Sequence, residues 1–303
     1  MTILKGIYGA MCTPFQDSGE GIDIKRYHSH IDDLLEAGVH GLVLCSGTGE
    51  YAYLTDDEKQ TLITEGVKHI NGRCPTIAQT TALSTNECIN KARAAEDAGA
   101  TAIMVMPPFL EPPSERGVIY HYEAIAKAVR IPIVMYNVPQ QAAPLSEDTY
   151  RKLLAVENLD YIKDSSGDFL NLQKFIKTGG RVFCGIDSFA PFALMSGCTG
   201  MIWGAVNFMP HECVKLFNLI EEKTNFIDFA RVFMGTELNH IKNKINWKGP
   251  LRALIYFIIR ACHREHLEIE NNLRWKQLAA TFYFNGHELK KEEFEKEFFK
   301  LSN

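Results

Sequence analysis

Short apolar runs alternate with longer amphipathic stretches along most of the chain. The runs cover residues 6–15, 41–45, 75–80, 102–107, 132–138, 159–164, 181–186 and 200–206. They are continuously apolar rather than alternating, the pattern of strands buried on both faces. Helix-sized segments lie between them, and several carry start signals. Asp56 and Asp57 precede one, Ser84 with Glu87 forms a capping-box pattern, Ser114 opens the next, and Ser146 with Glu147 the one after. Eight strand–helix units in sequence predict an α/β fold, a (β/α)₈ TIM barrel over residues 1–224. An open doubly wound sheet would place a Gly-rich phosphate turn after the first strand. The chain has Cys12-Thr13-Pro14-Phe15 there, which favours the barrel. Residues 225–303 contain no strand-like run and read as a C-terminal helical domain, with helices over 227–246, 250–265, 269–283 and 288–301. The last sets Phe294, Phe298 and Leu301 at helical spacing against a Lys/Glu face, an amphipathic packing surface.

Composition narrows the function. The 303 residues are 46% hydrophobic and 23% charged, ordinary for a globular protein. Thirty-two basic against 37 acidic residues leave a net charge of -5, which argues against nucleic acid as a partner. No run reaches the ~18 apolar residues of a membrane span. The opening MTILKGIYGAMCTPF has no signal-peptide pattern, so a cytoplasmic location is expected. Eight scattered cysteines without a CxxC pair predict reduced, mostly buried thiols rather than a zinc site.

Barrel active sites form at the C-terminal ends of the strands. Lys163 stands inside the sixth apolar run. A lysine there either points into the barrel mouth or pairs with a carboxylate such as Asp164. Burial favours the neutral amine, which can attack a ketone. Tyr136 ends the neighbouring run, where its hydroxyl either shuttles protons at an imine or simply caps the core. The turn Gly47-Thr48-Gly49 offers backbone N–H groups and a hydroxyl to a small anion such as a carboxylate. No lysine follows its second glycine, so it is not a phosphate P-loop. Asp187 either caps the next helix or holds a substrate. A metal-dependent hydrolase is the weaker reading: none of the ten histidines falls at a predicted strand C-terminal end.

Gly9-Ala10 with Thr13-Pro14-Phe15, Gly47-Thr48-Gly49-Glu50, Tyr136-Asn137-Val138-Pro139 and Ile162-Lys163-Asp164-Ser165-Ser166-Gly167-Asp168 appear in that order, followed by Gly185, Asp187 and Gly200. Over residues 6–222 this series resembles the dihydrodipicolinate synthase / N-acetylneuraminate lyase family. The resemblance implies a barrel, usually tetrameric, that joins a lysine to pyruvate or another 2-oxo acid as an imine. It makes Lys163 that lysine and Tyr136 the proton-shuttling tyrosine. Gly47 and Thr48 would bind the carboxylate, and Ile202 would pack near the imine.

Three positions depart from the synthase pattern. Gly47 replaces a relay threonine. Phe109 stands where a tyrosine hydroxyl is expected. Gln141 occupies the position of a substrate-binding arginine and cannot supply that residue's bidentate charge. Gly185-Ile186-Asp187 is similar to the GxD pattern of sugar-acid lyases, in which the aspartate holds substrate hydroxyls. Trp203 could line either the pocket or the outer layer. The reading is a Schiff-base lyase, an aldolase or dehydratase, acting on pyruvate or a keto-deoxy sugar acid. Lys163 and Tyr136 are its catalytic residues. Gly47, Thr48, Gln141, Gly185, Asp187 and Ile202 bind substrate. No metal or organic cofactor is expected, and a homotetramer or dimer is. The alternatives are 4-hydroxy-tetrahydrodipicolinate synthase and a barrel that has lost catalysis but still binds a small acid.

Overall fold

The computed structural model describes residues 3–17 and 21–222. The helical domain expected over 225–303, and Cys262 with it, lie outside the described residues. Eight strands alternate with eight helices. The strands are β1 (Gly6–Ala10), β2 (Gly41–Leu44), β3 (Thr76–Gln79), β4 (Ala102–Val105), β5 (Ile133–Asn137), β6 (Tyr161–Asp164), β7 (Arg181–Cys184) and β8 (Gly200–Trp203). The helices are α1 (Ile24–Glu36), α2 (Asp56–Ile70), α3 (Thr85–Asp97), α4 (Glu115–Ala126), α5 (Glu147–Leu153), α6 (Phe169–Lys177), α7 (Ala190–Met195) and α8 (Pro210–Glu221). Each strand pairs in parallel with the next and β8 pairs with β1, closing the barrel in chain order.

Every predicted apolar run contains a strand, but the strands are shorter. The first run extends to Phe15, whereas β1 stops at Ala10 and Phe15 instead bridges Ile22 in a loop. The helix starts also sharpen. Thr55, not Asp56 or Asp57, caps α2: its hydroxyl accepts from the Glu58 N–H, and Glu58 accepts from the Thr55 N–H at 2.8 Å. Ser84 accepts from the Glu87 N–H, but the Glu87 carboxylate pairs with Lys91. Ser146 caps α5 by accepting from Thr149. Ser114 holds the cap position of α4 without a side-chain bond.

The interior is filled as in other barrels of this size, by layers of inward side chains. Tyr8, Val43, Ile77, Met104, Val134, Tyr161, Phe183 and Ile202 form one buried cluster, with Tyr136 packed on it. Tyr8 meets Phe183 edge-on at 5.2 Å between ring centres. Side chains alternate along a strand. Ile202 therefore faces inward, and the same alternation turns its neighbour Trp203 away from that cluster. Among the described residues no helix is long and apolar enough to cross a membrane.

Candidate active site

Lys163 follows the inward Tyr161 by two residues, so strand alternation carries it into the barrel toward its C-terminal end. It is 6% exposed. In the β5–β6 register Lys163 lies opposite Tyr136, and its ammonium sits 4.3 Å from the centre of the Tyr136 ring. A cation over a tyrosine face is attracted by the ring's quadrupole, so the pair is held together before any ligand arrives.

The pairing of Lys163 with Asp164 considered from sequence is not what the chain adopts. Asp164 accepts from Asn137 Nδ2 at 2.6 Å and from Ser166 Oγ at 2.9 Å. Burial pushes its carboxyl pKa up, and these two bonds oppose that rise. Asn137 Oδ1 in turn accepts from the Leu145 N–H, and the Asn137 carbonyl accepts from the Ser165 N–H. The asparagine after Tyr136 and the aspartate after Lys163 thus fasten the ends of β5 and β6 together. They fix the strand ends that carry Tyr136 and Lys163 and leave the lysine unpaired with Asp164.

Gly185 leaves room for the lysine. A Cβ there would lie 2.7 Å from Lys163 Cε and 2.1 Å from Ser165 Oγ. Two distances from one point place that hydroxyl within about 5 Å of the lysine chain. Ser165 Oγ is buried and has no hydrogen-bond partner. In the sequence Ser165 stands only as one member of the motif after Lys163, with no role of its own. The signal was available: residues 161, 163 and 165 share one side of β6 and its extension.

Asp187 follows β7 in a short 3₁₀ turn, Asp187–Phe189. It does not cap α7 with its side chain. Burial pushes its carboxyl up to about 6, opposed by the Lys163 ammonium and the Trp203 indole N–H. That N–H is buried without a partner at hydrogen-bond geometry, so it favours the carboxylate electrostatically rather than by a formed bond. The capping role weighed for Asp187 gives way to that of a half-buried acid within the field of the lysine.

Gly47–Gly49 form a single 3₁₀ turn at the end of β2. Left-handed backbone at Cys45 (φ 56°) and Glu50 (φ 61°) brackets it. The Ser46 carbonyl accepts from Gly49 at 2.9 Å and Tyr51 at 3.2 Å, and Thr13 Oγ1 donates to the Gly49 carbonyl at 2.6 Å. The leading N–H groups of such a turn have no partner within it. The Thr48 side chain reaches within 3.8 Å of where a Cβ on Gly204 would stand, at the top of β8. Ile202 lies below, 1% exposed, opposite Tyr8 in the β1–β8 register.

Gln141 is exposed on the rim, its N–H donating to the Val138 carbonyl. Gln140 ties this turn to the loop after β6, its side-chain amide donating to the Ser166 carbonyl at 3.0 Å. Phe109 is half-buried and bridges Ala142. Among the described residues no group of three histidine, cysteine or acidic side chains is placed to hold a metal ion.

The model of the dihydrodipicolinate synthetase family matches residues 3–262. A 4-hydroxy-tetrahydrodipicolinate synthase of Methanoculleus marisnigri is 35% identical over 221 residues, 71% of this chain and 76% of that protein. The dihydrodipicolinate synthase structure from Aquifex aeolicus aligns with a TM-score of 0.73 and 26% identity, over 92% of this chain and 98% of that one. The chloride-inhibited dihydrodipicolinate synthase of Acinetobacter baumannii, complexed with pyruvate, aligns with a TM-score of 0.71 and 26% identity, over 99% and 98%. The chain belongs to the dihydrodipicolinate synthetase family and is a lyase.

Proposed function

We propose that Lys163 forms an imine with pyruvate or a related 2-oxo acid, and that the physiological reaction is an aldol cleavage, aldol addition or dehydration of a keto-deoxy sugar acid. The observation that carries this reading is Lys163 itself: buried in the barrel, set against Tyr136, with Gly185 bare beside it. The substrate carboxylate rests on Gly47 and Thr48. The lysine nitrogen adds to the ketone carbon, and the carbonyl oxygen becomes a carbinolamine hydroxyl. Tyr136 relays the proton with which that hydroxyl leaves as water. In the cleavage direction the substrate hydroxyl gives its proton to Tyr136 and becomes the carbonyl of the departing aldehyde, while the electron pair of the broken carbon–carbon bond passes to the cationic imine and leaves an enamine; addition is the reverse of this step. Protonation of the enamine carbon and return of water release the product and free the amine.

Asp187 and Ser165 favour a hydroxylated substrate. One is a half-buried acid, and the other is a buried hydroxyl without a hydrogen-bond partner beside the lysine. Gln141 at the rim is neutral, so it suits a partner without a second carboxylate. The scheme calls on no metal or organic cofactor. A homo-oligomer, tetramer or dimer, and a cytoplasmic location complete the proposal. The second is supported by seven free cysteines among the described residues, five of them buried.

The relatives' names favour a second reading, 4-hydroxy-tetrahydrodipicolinate synthase; this reading calls for condensation of pyruvate with aspartate semialdehyde. Borohydride trapping with pyruvate, followed by peptide mass spectrometry, tests the shared step. A reduced adduct on Lys163 is expected. Turnover is then compared between keto-deoxy sugar acids and pyruvate with aspartate semialdehyde. Exclusive use of the second pair reverses the order of the two readings. If neither pyruvate nor longer 2-oxo acids leave an adduct, the protein is a binding barrel without imine chemistry.

A further inference from the structure

Asn207 closes the 3₁₀ turn Ala205–Asn207 that follows β8, and it is half-buried. Its side-chain amide binds three elements. Nδ2 donates to the Ala10 carbonyl and to the Gly204 carbonyl, each at 2.8 Å. Oδ1 accepts from the Cys12 N–H at 3.2 Å and from His30 Nε2, on α1, at 2.8 Å. Two donated and two accepted bonds are what a carboxamide can make, so nothing is left over for a ligand. The partners also fix which way the amide points, because the two carbonyls can only accept and the Cys12 N–H can only donate. His30 must therefore carry a proton on Nε2.

What Asn207 holds leads to the turn after β2. It fixes the main chain on both sides of Met11, through the Ala10 carbonyl and the Cys12 N–H. Thr13 comes next, and its Oγ1 donates to the Gly49 carbonyl at 2.6 Å. Gly49 packs so closely on this segment that a Cβ there would lie 2.7 Å from the Met11 carbonyl oxygen and 3.0 Å from Thr13 Oγ1. On the other side stands Gly204, whose carbonyl Asn207 also holds. A Cβ on Gly204 would lie 3.8 Å from Thr48 Oγ1. The turn Gly47–Gly49 thus rests on the β1 loop and meets the end of β8, and one amide fastens both supports.

We infer that Asn207 is a positioning residue for 2-oxo acid binding: without touching substrate, it sets the separation of the β1 and β8 loop ends and through them the place of Gly47–Gly49. This rests on the imine reading above. It adds the residue that keeps the substrate turn in register with Lys163.

The test is the pyruvate concentration giving half-maximal borohydride-trapped adduct on Lys163, read by intact mass, together with the trapping rate at saturation. Deleting a bond to a charged carboxylate would raise that midpoint about ten- to hundredfold. Asn207→Ala displaces the turn's donors without deleting them, so a rise of about three- to tenfold is expected. The rate at saturating pyruvate should be nearly unchanged, since the strand ends carrying Lys163 and Tyr136 are fastened separately by Asn137 and Asp164. Thr13→Val removes the bond to Gly49 and should raise the midpoint as well. The double variant Asn207→Ala/Thr13→Val should fall short of the product of the two shifts, because both break one line of contacts. If Asn207→Ala does not fold, Asn207→Asp keeps the shape and the acceptor, loses the donors to Ala10 and Gly204, and should give the same shift. A merely structural asparagine would lower Tm and leave the midpoint, measured well below Tm, where it was. That result, in whichever variant folds, overturns the assignment and leaves the imine reading standing. So do shifts that multiply in full in the double variant. Failure of the unaltered protein to trap any 2-oxo acid removes the imine reading and this assignment together.

Discussion

Gly185→Ala is the most discriminating substitution at this site, because its effect is set by one methyl group. The backbone at Gly185 is not left-handed, so alanine adds no strain of its own. The new Cβ would stand 2.1 Å from Ser165 Oγ, 2.7 Å from Lys163 Cε and 3.4 Å from the Asp164 carbonyl oxygen. The last is an ordinary contact. The serine hydroxyl ends a short side chain and can rotate away. The lysine chain has less freedom, because its ammonium lies over the Tyr136 ring in buried surroundings. Bringing its Cε out to a normal carbon–carbon separation of ~3.7 Å takes a displacement of about 1 Å. A reacting group misplaced by about 1 Å reacts on the order of 10²-fold more slowly. Overpacking should cost about 1–3 kcal/mol of stability, a fall in Tm of roughly 2–10 °C for a barrel of this size. The assay is the rate of borohydride-trappable imine formation at saturating pyruvate, with Tm measured alongside. Gly47→Ala, where a Cβ meets nothing within 4 Å, should leave Tm unchanged. Gly185→Ala/Ser165→Ala removes the hydroxyl clash and keeps the lysine clash, so imine formation should stay slow. Trapping by Gly185→Ala at the unaltered rate would refute the reasoning, since the lysine would then not react from the position beside Gly185.

Lys163→Ala should abolish the adduct with the far-ultraviolet circular dichroism unchanged, because a side chain near the barrel mouth leaves no deep cavity. An adduct on another lysine would reassign the nucleophile. Tyr136→Phe should slow turnover by about 10²-fold or more, the scale of one general acid–base group; an unaltered rate removes the hydroxyl from the mechanism. Asn137→Ala deletes the bonds to the Asp164 carboxylate and from the Leu145 N–H, and should cost about 2–4 kcal/mol at neutral pH by urea unfolding. Burial holds Asp164 above the usual carboxylate range, so the folded state binds its proton first as pH falls. The Asn137→Ala deficit should therefore shrink toward acid, and a pH-independent deficit contradicts the charge assignment. Asp187 is pushed up to about 6, so it is mostly neutral below that pH and a carboxylate above it. KM for a hydroxylated 2-oxo acid should fall as pH rises through about 6. The inflection should vanish in Asp187→Asn and be absent for pyruvate, which has no hydroxyl to offer; the same inflection with pyruvate would detach Asp187 from hydroxyl recognition.

What could be read from the sequence was whatever depends on period and order. Eight apolar runs separated by helix-length segments admit few closures, and the barrel follows from them. Lys163 could be read because an ammonium in an apolar strand conflicts with its surroundings unless it faces a site. Tyr136 could be read because parallel neighbours bring the ends of consecutive strands together. The cap of α2 lies one residue ahead of the acidic pair, since Asp56 and Asp57 tolerate a cap position as well as Thr55 does and only the reciprocal bond with Glu58 decides between them. Unpaired atoms and bare space have no such pattern. Ser165 and Ser46 are ordinary in a βα loop, where serine most often completes its own turn. Only the three-dimensional count of donors and acceptors shows that neither hydroxyl has done so. Gly185 belongs to the same class. Its pattern is legible as part of GxD, but the 2.7 Å that would separate a methyl group there from Lys163 Cε is not, because a clash with a side chain twenty-two residues away has no periodic signature. Strand order places the buried lysine. Unfilled space and unpaired atoms define what it can accept, and those are properties of the folded site alone.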